Sequence, residues 1–522
     1  MSCKNWCLAC LMLLVMPIMA VNSNYAIKVK SPDLKMDKLF LGHYYMGKLY
    51  VQDSLSLDEN GVGVFTAEKK LPEGMYVLYL KSGKYADLLI GDDQVFSIQL
   101  DTAQMAQSLQ IEGAEQSADF AEYARFLSAK QKELNDLNDL YKKASEVKKE
   151  QNSKKMSALS VQVKEKQKTL FQKYPTRFLS AKQKELNDLN DLYKEASDVK
   201  KEQISKQMSA LSVQVKEKQQ TLIQKYPNGM VSVFLKGLMV PELPAWTDSL
   251  NCANVDSCKA MHRYLFYKNH YLDNFNLSDV RTFRTPYIAN TLNTYLDKVL
   301  LQINDSIIPS ALQMIERSRG NDTTFQIIAN HVLNYSVKSK IMGMDNLLVE
   351  VGKRYYLSGL ATWADSTLLA NLTSEINKIE RSLVGMEAHN IPLSDANGQY
   401  RYLYDMGGSQ LTVLFFYEPS CGHCRKTTPI LAEFAKKYKD DPRIKIVAVY
   451  MLEDQKEWQE FMEKHDMSAL VNVWDPKRVS NYWYWYDTST TPMMYVMDKD
   501  HKIFAKKIDV PTLEMIAKHE LK

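Results

Sequence analysis

Residues 411–424, Leu-Thr-Val-Leu-Phe-Phe-Tyr-Glu-Pro-Ser-Cys-Gly-His-Cys, join an apolar run to two cysteines that are separated by two residues. The run at 411–417 predicts a strand that stops before Pro419, and residues 425–438 have the apolar spacing of an amphipathic helix. A strand that delivers two cysteines to the N-terminus of a helix is typical of a site that exchanges disulfides. We therefore expect Cys421 and Cys424 to carry the chemistry of this chain.

Strands and helices alternate from about Gly385 onwards, which predicts an α/β domain with helices on the faces of a sheet. An entry hairpin is expected at 391–393 and 400–404, with Asn397-Gly398 as its turn. Further strands are predicted at 411–417, 444–451, 470–474, 493–497 and 503–508. Helices are predicted at 455–465, 477–484 and 512–520.

Over residues 385–522 the chain resembles the thioredoxin superfamily, and most closely its TlpA/ResA-type envelope members. Cys421-Gly422-His423-Cys424 matches the active-site pair of that superfamily. Pro429 matches the proline that kinks the family's first helix, and Thr491-Pro492 matches the threonine and cis-proline that face the disulfide in some members. The resemblance implies a thioredoxin fold and thiol–disulfide oxidoreductase activity, with no cofactor.

The positions of these residues suggest a role for each. At a helix N-terminus, unpaired N–H groups and the helix dipole stabilise the thiolate of Cys421, and His423 adds positive potential. Cys421 is expected to attack a substrate disulfide, and Cys424, one turn later, to resolve the mixed disulfide. A cis Pro492 leaves the backbone beside it open to pair with an extended substrate.

Three positions depart from the family pattern. Phe415 and Thr427 stand where thioredoxins and ResA-type reductases, respectively, carry an acid, and Ser420 replaces the usual tryptophan. The group that deprotonates Cys424 is therefore unassigned; Glu418 is a candidate proton relay, although an exposed surface acid is the simpler interpretation. The Gly-His centre matches protein disulfide isomerases and suggests a less reducing couple than that of thioredoxin, so the direction of electron flow stays open.

Other interpretations of the cysteine pair are less well supported. A closed zinc site needs four ligands, and the sequence after the predicted signal at residues 1–23 has no second Cys-x-x-Cys. Haem attachment would need a histidine at Arg425, and a peroxiredoxin-like peroxidase would need a threonine at Glu418. A non-enzymatic envelope scaffold with an inert disulfide is the main alternative. An aromatic run at 482–486, before the Thr491-Pro492 loop, could line a substrate groove or pack in the core.

The N-terminus has the pattern of a secretory signal. Lys4 precedes an apolar run at 7–20 that is short for a membrane span, and small residues allow cleavage after Ala20 or Ser23. Residues 1–23 are therefore predicted to be a cleaved signal peptide, and the protein to be exported to the periplasm or cell envelope. Of the remaining cysteines, Cys252 and Cys258 are candidates for a structural disulfide, and free buried thiols are the alternative.

Residues 24–112 contain short alternating runs separated by turn signals, which predicts an all-β antiparallel sandwich with a docking or structural role. Runs of this kind occur at 48–52, 63–66, 75–80 and 95–100. Residues 113–384 are predicted to be helical, with helices at 307–319, 324–341 and 368–384. The histidines in this region, His262, His270 and His331, lack the spacing of metal ligands, as does His389 beyond it, and we propose no metal site.

Within the helical region, residues 125–176 recur as 177–228 with seven differences, which indicates a recent tandem duplication. Apolar residues recur at spacings of three and four in each copy, as in a coiled coil. Each copy could form a hairpin of two helices or one continuous helix. We interpret the duplicated unit as a helical spacer, and a partner-binding coiled coil is the alternative.

The chain of 522 residues is long enough for about three domains, and its net charge of +4 gives no reason to expect nucleic-acid binding. The partners implied by the resemblance are proteins with disulfides or thiols, and an upstream protein that donates or accepts electrons.

Overall fold

The computed structural model describes residues 24–144, 198–247 and 254–522, and the chain divides into two compact units, Met1–Thr294 and Tyr295–Lys522. The predicted signal peptide, most of the two repeat copies, and Cys252 lie outside the described residues. The boundary predicted between residues 384 and 385 falls inside the second unit, and the predicted domain boundaries stay predictions.

The first unit begins with two four-stranded sheets, ordered β4-β1-β7-β8 and β3-β2-β5-β6, which share one hydrophobic core. One expectation was wrong, because β1 pairs with β7 in parallel rather than antiparallel. Alternation of apolar residues marks the buried face of a strand and does not specify strand direction. The strands are β1 (Tyr25–Lys30), β2 (Lys38–Tyr45), β3 (Lys48–Ser56), β4 (Val62–Ala67), β5 (Gly74–Tyr79), β6 (Tyr85–Ile90), β7 (Val95–Gln99) and β8 (Gln110–Glu112).

Helices follow the sheets in this unit. In α4, Gly237 lies against Tyr287, whose hydroxyl donates to the Phe234 carbonyl oxygen at 2.7 Å; a Cβ on Gly237 would lie only 2.3 Å from that hydroxyl. The α-helices are α1 (Met105–Ser108), α2 (Glu115–Ala144), α3 (Asp198–Lys225), α4 (Met230–Leu238), α5 (Val255–His270) and α6 (Ile288–Thr294). The 3-10 turns are Thr102–Gln104 and Val280–Arg284.

Polar contacts pair the start of α2 with the end of α3 in antiparallel fashion. The Asp119 carboxylate accepts hydrogen bonds from Lys225 Nζ at 2.7 Å and from the Tyr226 hydroxyl at 2.8 Å. One turn further along α2, the Tyr123 hydroxyl accepts from Gln219 Nε2 at 2.8 Å. The contact residues of α2 precede the first repeat copy, and those of α3 belong to the second copy. The choice between a hairpin and one long helix in each copy falls on residues outside the described ranges.

The second unit opens with helices, two of which have N-termini that are capped by side chains. Asn321 accepts from the backbone N–H groups of Thr323 and Thr324, and Asp365 accepts from that of Leu368, which satisfies donors that a helix leaves unpaired. These caps start the helices two residues before the predicted positions. The α-helices are α7 (Asn304–Glu316), α8 (Asp322–Lys338), α9 (Asp345–Val351) and α10 (Ser366–Ile379). Five- and six-residue π-helical segments lie at Tyr295–Val299 and Gly352–Leu357.

A seven-stranded mixed sheet, ordered β10-β9-β13-β12-β11-β14-β15, completes the second unit. The central strand β11 is buried along its whole length. It pairs in parallel with β12 and in antiparallel orientation with β14. The strands are β9 (Pro392–Ser394), β10 (Tyr400–Tyr402), β11 (Leu411–Tyr417), β12 (Ile444–Tyr450), β13 (Val471–Trp474), β14 (Met493–Met497) and β15 (Ile503–Lys506). The helices are α11 (Gly422–Lys437), α12 (Gln455–Lys464), α13 (Tyr482–Trp485) and α14 (Val510–Glu520), with 3-10 turns at Leu403–Met406 and Met467–Ala469.

The helix predicted at 477–484 was wrong over its first half. The Asp475 carboxylate accepts from the backbone N–H groups of Val479 and Ser480, at 3.0 and 2.9 Å, and holds this segment as a loop. Arg478 and Asn481 have left-handed backbone conformations, with φ of 53° and 49°, that interrupt a right-handed helix. Only the turn α13 is helical.

Within the described ranges, no helix combines the length and apolarity that crossing a membrane requires.

Candidate active site

The C-terminal end of β11 delivers the two cysteines. Strand β11 ends at Tyr417, and four residues later Cys421 occupies the N-cap position of α11, which begins at Gly422. The turn between them is held by Arg425, whose Nη1 donates to the carbonyl oxygens of Pro419 and Ser420, both at 2.8 Å. The sequence therefore places Cys421 at the N-terminus of a 16-residue helix, where unpaired backbone N–H groups and the helix dipole favour a thiolate.

The thiol of Cys421 is partly exposed, and its Sγ donates to the Thr491 carbonyl oxygen at 3.2 Å. Burial alone would raise the pKa of this thiol. Hydrogen bonding by the Thr491 side chain and by the Cys424 and His423 backbone N–H groups outweighs burial, so the pKa of Cys421 lies below its ordinary value. Cys421 is thus the more acidic of the two thiols and the one that solvent can reach.

Cys424 has the opposite environment. Its side chain is fully buried against the core of the second unit, and burial raises the pKa of its thiol to about 12. The nearby Cys421 raises the pKa of Cys424 further, while hydrogen bonding by the Glu418 backbone and by Thr491 opposes the rise. Two thiols one helical turn apart therefore differ in exposure and in acidity, which allows one to act as nucleophile while the other stays protonated.

The loop before β14 closes the site. The Thr491–Pro492 peptide bond is cis, and the Thr491 hydroxyl donates to Glu418 Oε1 at 2.7 Å. Glu418 is half-buried in this contact, so the interpretation of a free surface acid does not describe it. The link between Glu418 and Thr491 spans 73 positions, and no local pattern in the sequence signals it.

The remaining predicted site residues lie on α11. His423 is exposed in its first turn, and little lies near Gly422, where an added Cβ would approach only Arg425, at 3.8 Å. Pro429 lies inside the helix, as the resemblance implies. One cysteine of the predicted structural disulfide, Cys258, lies on α5 of the first unit. Its pairing with Cys252 stays a prediction because Cys252 lies outside the described residues.

The aromatic run at 482–486 divides between core and surface. Tyr482 and Tyr486 are buried against Phe416 of β11, with ring centroids 5.3 and 5.6 Å from its ring. Trp483 and Tyr484 are exposed. The two buried rings lie four residues apart, so alternate rings do not pack in the core, and the substrate groove remains a prediction for the exposed pair.

Across the described ranges, no group of three or more His, Cys, Asp or Glu side chains could hold a metal ion. Residues 408–503, which include both cysteines and Thr491-Pro492, match the family model described as thioredoxin-like. The chain is a member of the thioredoxin superfamily. The expected architecture of N-terminal β sheets, a helical middle region and a C-terminal thioredoxin-like α/β domain is confirmed.

The chain is similar over parts of its length to several solved structures. A domain of a possible thiol-disulfide isomerase from Cytophaga hutchinsonii is 34% identical over 27% of this chain and 94% of its own, with a TM-score of 0.25. A thioredoxin-like protein from Bacteroides caccae is 17% identical over 53% of this chain and 98% of its own, with a TM-score of 0.41. A thiol-disulfide oxidoreductase from Bacteroides fragilis is 19% identical over 26% of this chain and 98% of its own, with a TM-score of 0.24. No curated protein matches the chain.

Proposed function

We propose that the protein is an exported thiol–disulfide oxidoreductase that exchanges disulfides with envelope proteins through Cys421 and Cys424. The observation that carries the proposal is the contrast between the two thiols. Cys421 is accessible and has a lowered pKa, whereas Cys424 is buried and has a pKa raised to about 12. A structural disulfide needs no such difference, but a nucleophile and its resolving partner do.

In the reducing direction, the Cys421 thiolate attacks one sulfur of a substrate disulfide and releases the other substrate sulfur as a thiolate. Cys424 then attacks Cys421 Sγ, which forms the Cys421–Cys424 disulfide and releases the second substrate sulfur. The substrate gains two electrons and the protein loses two, and an upstream dithiol protein restores the pair. Oxidation of a substrate dithiol is the same sequence in reverse.

Export is part of the proposal and is supported by the sequence alone. Lys4 followed by the apolar run at 7–20 is the pattern of a cleaved signal. Fusion of residues 1–30 to a reporter enzyme that folds only after export provides the test. Reporter activity is expected with the natural segment and is expected to disappear when Leu13 and Leu14 are both replaced by Arg.

The activity is tested by insulin reduction in the presence of dithiothreitol, with the chain from residue 24 onwards. The wild type is expected to accelerate the reaction, and Cys421→Ser is expected to return it to the uncatalysed rate. Equal rates for the two proteins would refute the proposal. A redox titration is the second measurement, since a Cys421–Cys424 potential below about −300 mV would mark an inert structural bond and favour the scaffold.

Substrates are identified by trapping. Cys424→Ser leaves the nucleophile and removes the resolving thiol, so it is expected to retain clients as mixed disulfides on Cys421. The matched control is the double variant Cys421→Ser with Cys424→Ser, which is expected to retain none. Mass spectrometry of reductant-released proteins then names the clients and the upstream redox partner.

A further inference from the structure

The resolving step of the proposed reaction requires Cys424 to lose a proton. Its thiol is fully buried, and a thiol with a pKa near 12 is almost entirely protonated at neutral pH. Attack on Cys421 needs the thiolate, so a nearby base must accept this proton for the step to be fast. Phe415 and Thr427 cannot do so, because neither side chain has a carboxylate.

Glu418 supplies a carboxylate next to the pair. Its Oε1 accepts from the Thr491 hydroxyl at 2.7 Å, and the backbone of the same residue hydrogen-bonds Cys424. Thr491 in turn contacts the cysteines through two groups. Its carbonyl oxygen lies 3.2 Å from Cys421 Sγ, and its side chain contributes hydrogen bonding to both thiols. Thr491 therefore contacts the Glu418 carboxylate through its hydroxyl and Cys421 Sγ through its carbonyl oxygen.

We propose that Glu418 accepts the proton of Cys424 through the Thr491 hydroxyl. This inference rests on the proposed function and assigns the base of its second step. Thr491 is the group that touches the reacting atoms, and Glu418, which acts through it, is a positioning residue that holds the hydroxyl and receives the proton.

The Cys424 thiol gives its proton to Thr491 Oγ1 while the Thr491 hydroxyl proton passes to Glu418. The Cys424 thiolate attacks Cys421 Sγ, the new S–S bond forms, and the bond from Cys421 to the substrate sulfur breaks. The substrate leaves as a thiolate with the bonding electron pair and is protonated by solvent or by Glu418. Two protein thiols are oxidised and one substrate disulfide is reduced over the whole cycle.

Other charged groups face this site and must be separated from Glu418. From α11, the Arg425 guanidinium binds the turn and His423 is exposed. From the neighbouring loops, Arg478 pairs with Glu453 at 2.7 Å, and Asp475 is buried nearby. Burial raises the pKa of Tyr482 to about 12, so this tyrosine keeps its proton between pH 6 and 9. His423 places an exposed imidazole in the first turn of α11, and His423→Gln is therefore used as the background for every variant.

The test is a stopped-flow reaction of the reduced protein with 5,5′-dithiobis(2-nitrobenzoate) from pH 6 to 9. The first coloured thiol reports attack by Cys421, and the second reports its displacement by Cys424. Glu418→Gln and Thr491→Val are each expected to slow the second phase at pH 7 by at least about tenfold and to move its rise to higher pH. The first phase is expected to change by less than about threefold.

Two controls separate proton transfer from packing. Thr491→Ser keeps the hydroxyl and is expected to retain the wild-type second phase. Comparison of Thr491→Ser with Thr491→Val therefore tests the role of the hydroxyl even if Glu418→Gln does not fold. Glu433→Gln removes an exposed carboxylate of the same helix and is expected to change neither phase. An unchanged second phase in Thr491→Val or in a folded Glu418→Gln, or equal slowing by Thr491→Ser and Thr491→Val, would overturn the proposal. Failure of the proposed function is distinct, since the wild type would then show both phases without reducing insulin.

Discussion

The ammonium group of Lys506 is buried against the carboxylate of Asp345, and this ion pair joins β15 to the first residue of α9. Lys506 also donates to the Ser382 carbonyl oxygen at 2.8 Å. Burial lowers the pKa of Lys506, and the charge of Asp345 opposes that shift. The ion pair therefore links the helices before residue 384 to the thioredoxin-like sheet. Loss of the Asp345 carboxylate would leave the buried Lys506 ammonium without a counter-ion.

Asp345→Asn is expected to lower the free energy of unfolding by about 3 kcal/mol, because it leaves the buried Lys506 without its counter-ion. Urea denaturation followed by circular dichroism measures the change. The matched control is Glu375→Gln, which breaks an exposed ion pair with Lys378 and is expected to cost less than about 1 kcal/mol. Equal costs for the two variants would show that the buried pair does not stabilise this unit.

Selective alkylation tests the difference between the two thiols. Iodoacetamide at pH 7 is expected to modify Cys421 at least about tenfold faster than Cys424, because reaction requires a thiolate and access. Peptide mass spectrometry of the reduced protein over time gives both rates. The rate at Cys421 is expected to reach half its maximum below the midpoint of an ordinary thiol, because the pKa of Cys421 is lowered. Faster modification of Cys424 would contradict the geometry of the pair.

Cys424 also predicts a pH dependence of stability. Its folded pKa, about 12, lies above the value of about 8.5 expected in the unfolded chain, so the folded state binds the proton more tightly. The contribution of this thiol is fully present below pH 8.5 and is lost as the pH rises toward 12. The free energy of unfolding of the reduced protein, measured relative to Cys424→Ala, is expected to fall by up to about 1 kcal/mol per unit between pH 9 and 10.5. A constant difference over that range would be inconsistent with the raised pKa.

Deletion of residues 125–176 is expected to leave the first unit folded. The deletion joins Ala124 to Arg177, and it keeps Asp119 and Tyr123 of α2 together with their partners Lys225 and Gln219 of α3. Halving the chain between two paired helix ends changes the closure entropy by only about 0.6 kcal/mol. Thermal unfolding is expected to shift by a few degrees at most. Asp119→Ala, which removes the contact itself, is the comparison, and loss of folding in the deletion alone would contradict the prediction.

The sequence predicted the thioredoxin-like domain well because its strands are short, apolar and bounded by clear turns. Strands β11 and β14 have the predicted bounds, since buried central strands read as continuous apolar runs. The pairing of β1 with β7 was not predictable, because no local pattern encodes which distant strand a strand joins or in which direction. The helix predicted at 477–484 was wrong over its first half, because the Asp475 carboxylate accepts hydrogen bonds from backbone N–H groups of this segment.

For the active site, the sequence identified the candidate nucleophile and resolving cysteine from their spacing and from the proline that follows. It offered Glu418 as a candidate proton relay, but it did not predict the hydrogen bond between Glu418 and Thr491, because that contact depends on the tertiary fold. The partner of the buried Lys506 was equally hidden, since Asp345 lies 161 positions away. The sequence predicted the roles of residues that are close together in the chain. It did not predict contacts between residues that are distant in the chain and close in space.

The antiparallel contacts between α2 and α3 have an evolutionary consequence. Lys218, Gln219, Lys225 and Tyr226 of the second copy are matched by identical residues at 166, 167, 173 and 174 of the first. Unequal recombination between the copies therefore adds or removes 52 residues while every product keeps a full set of residues for the junction with α2. Lineages can change the length of this segment in whole steps without any compensating substitution elsewhere in the chain.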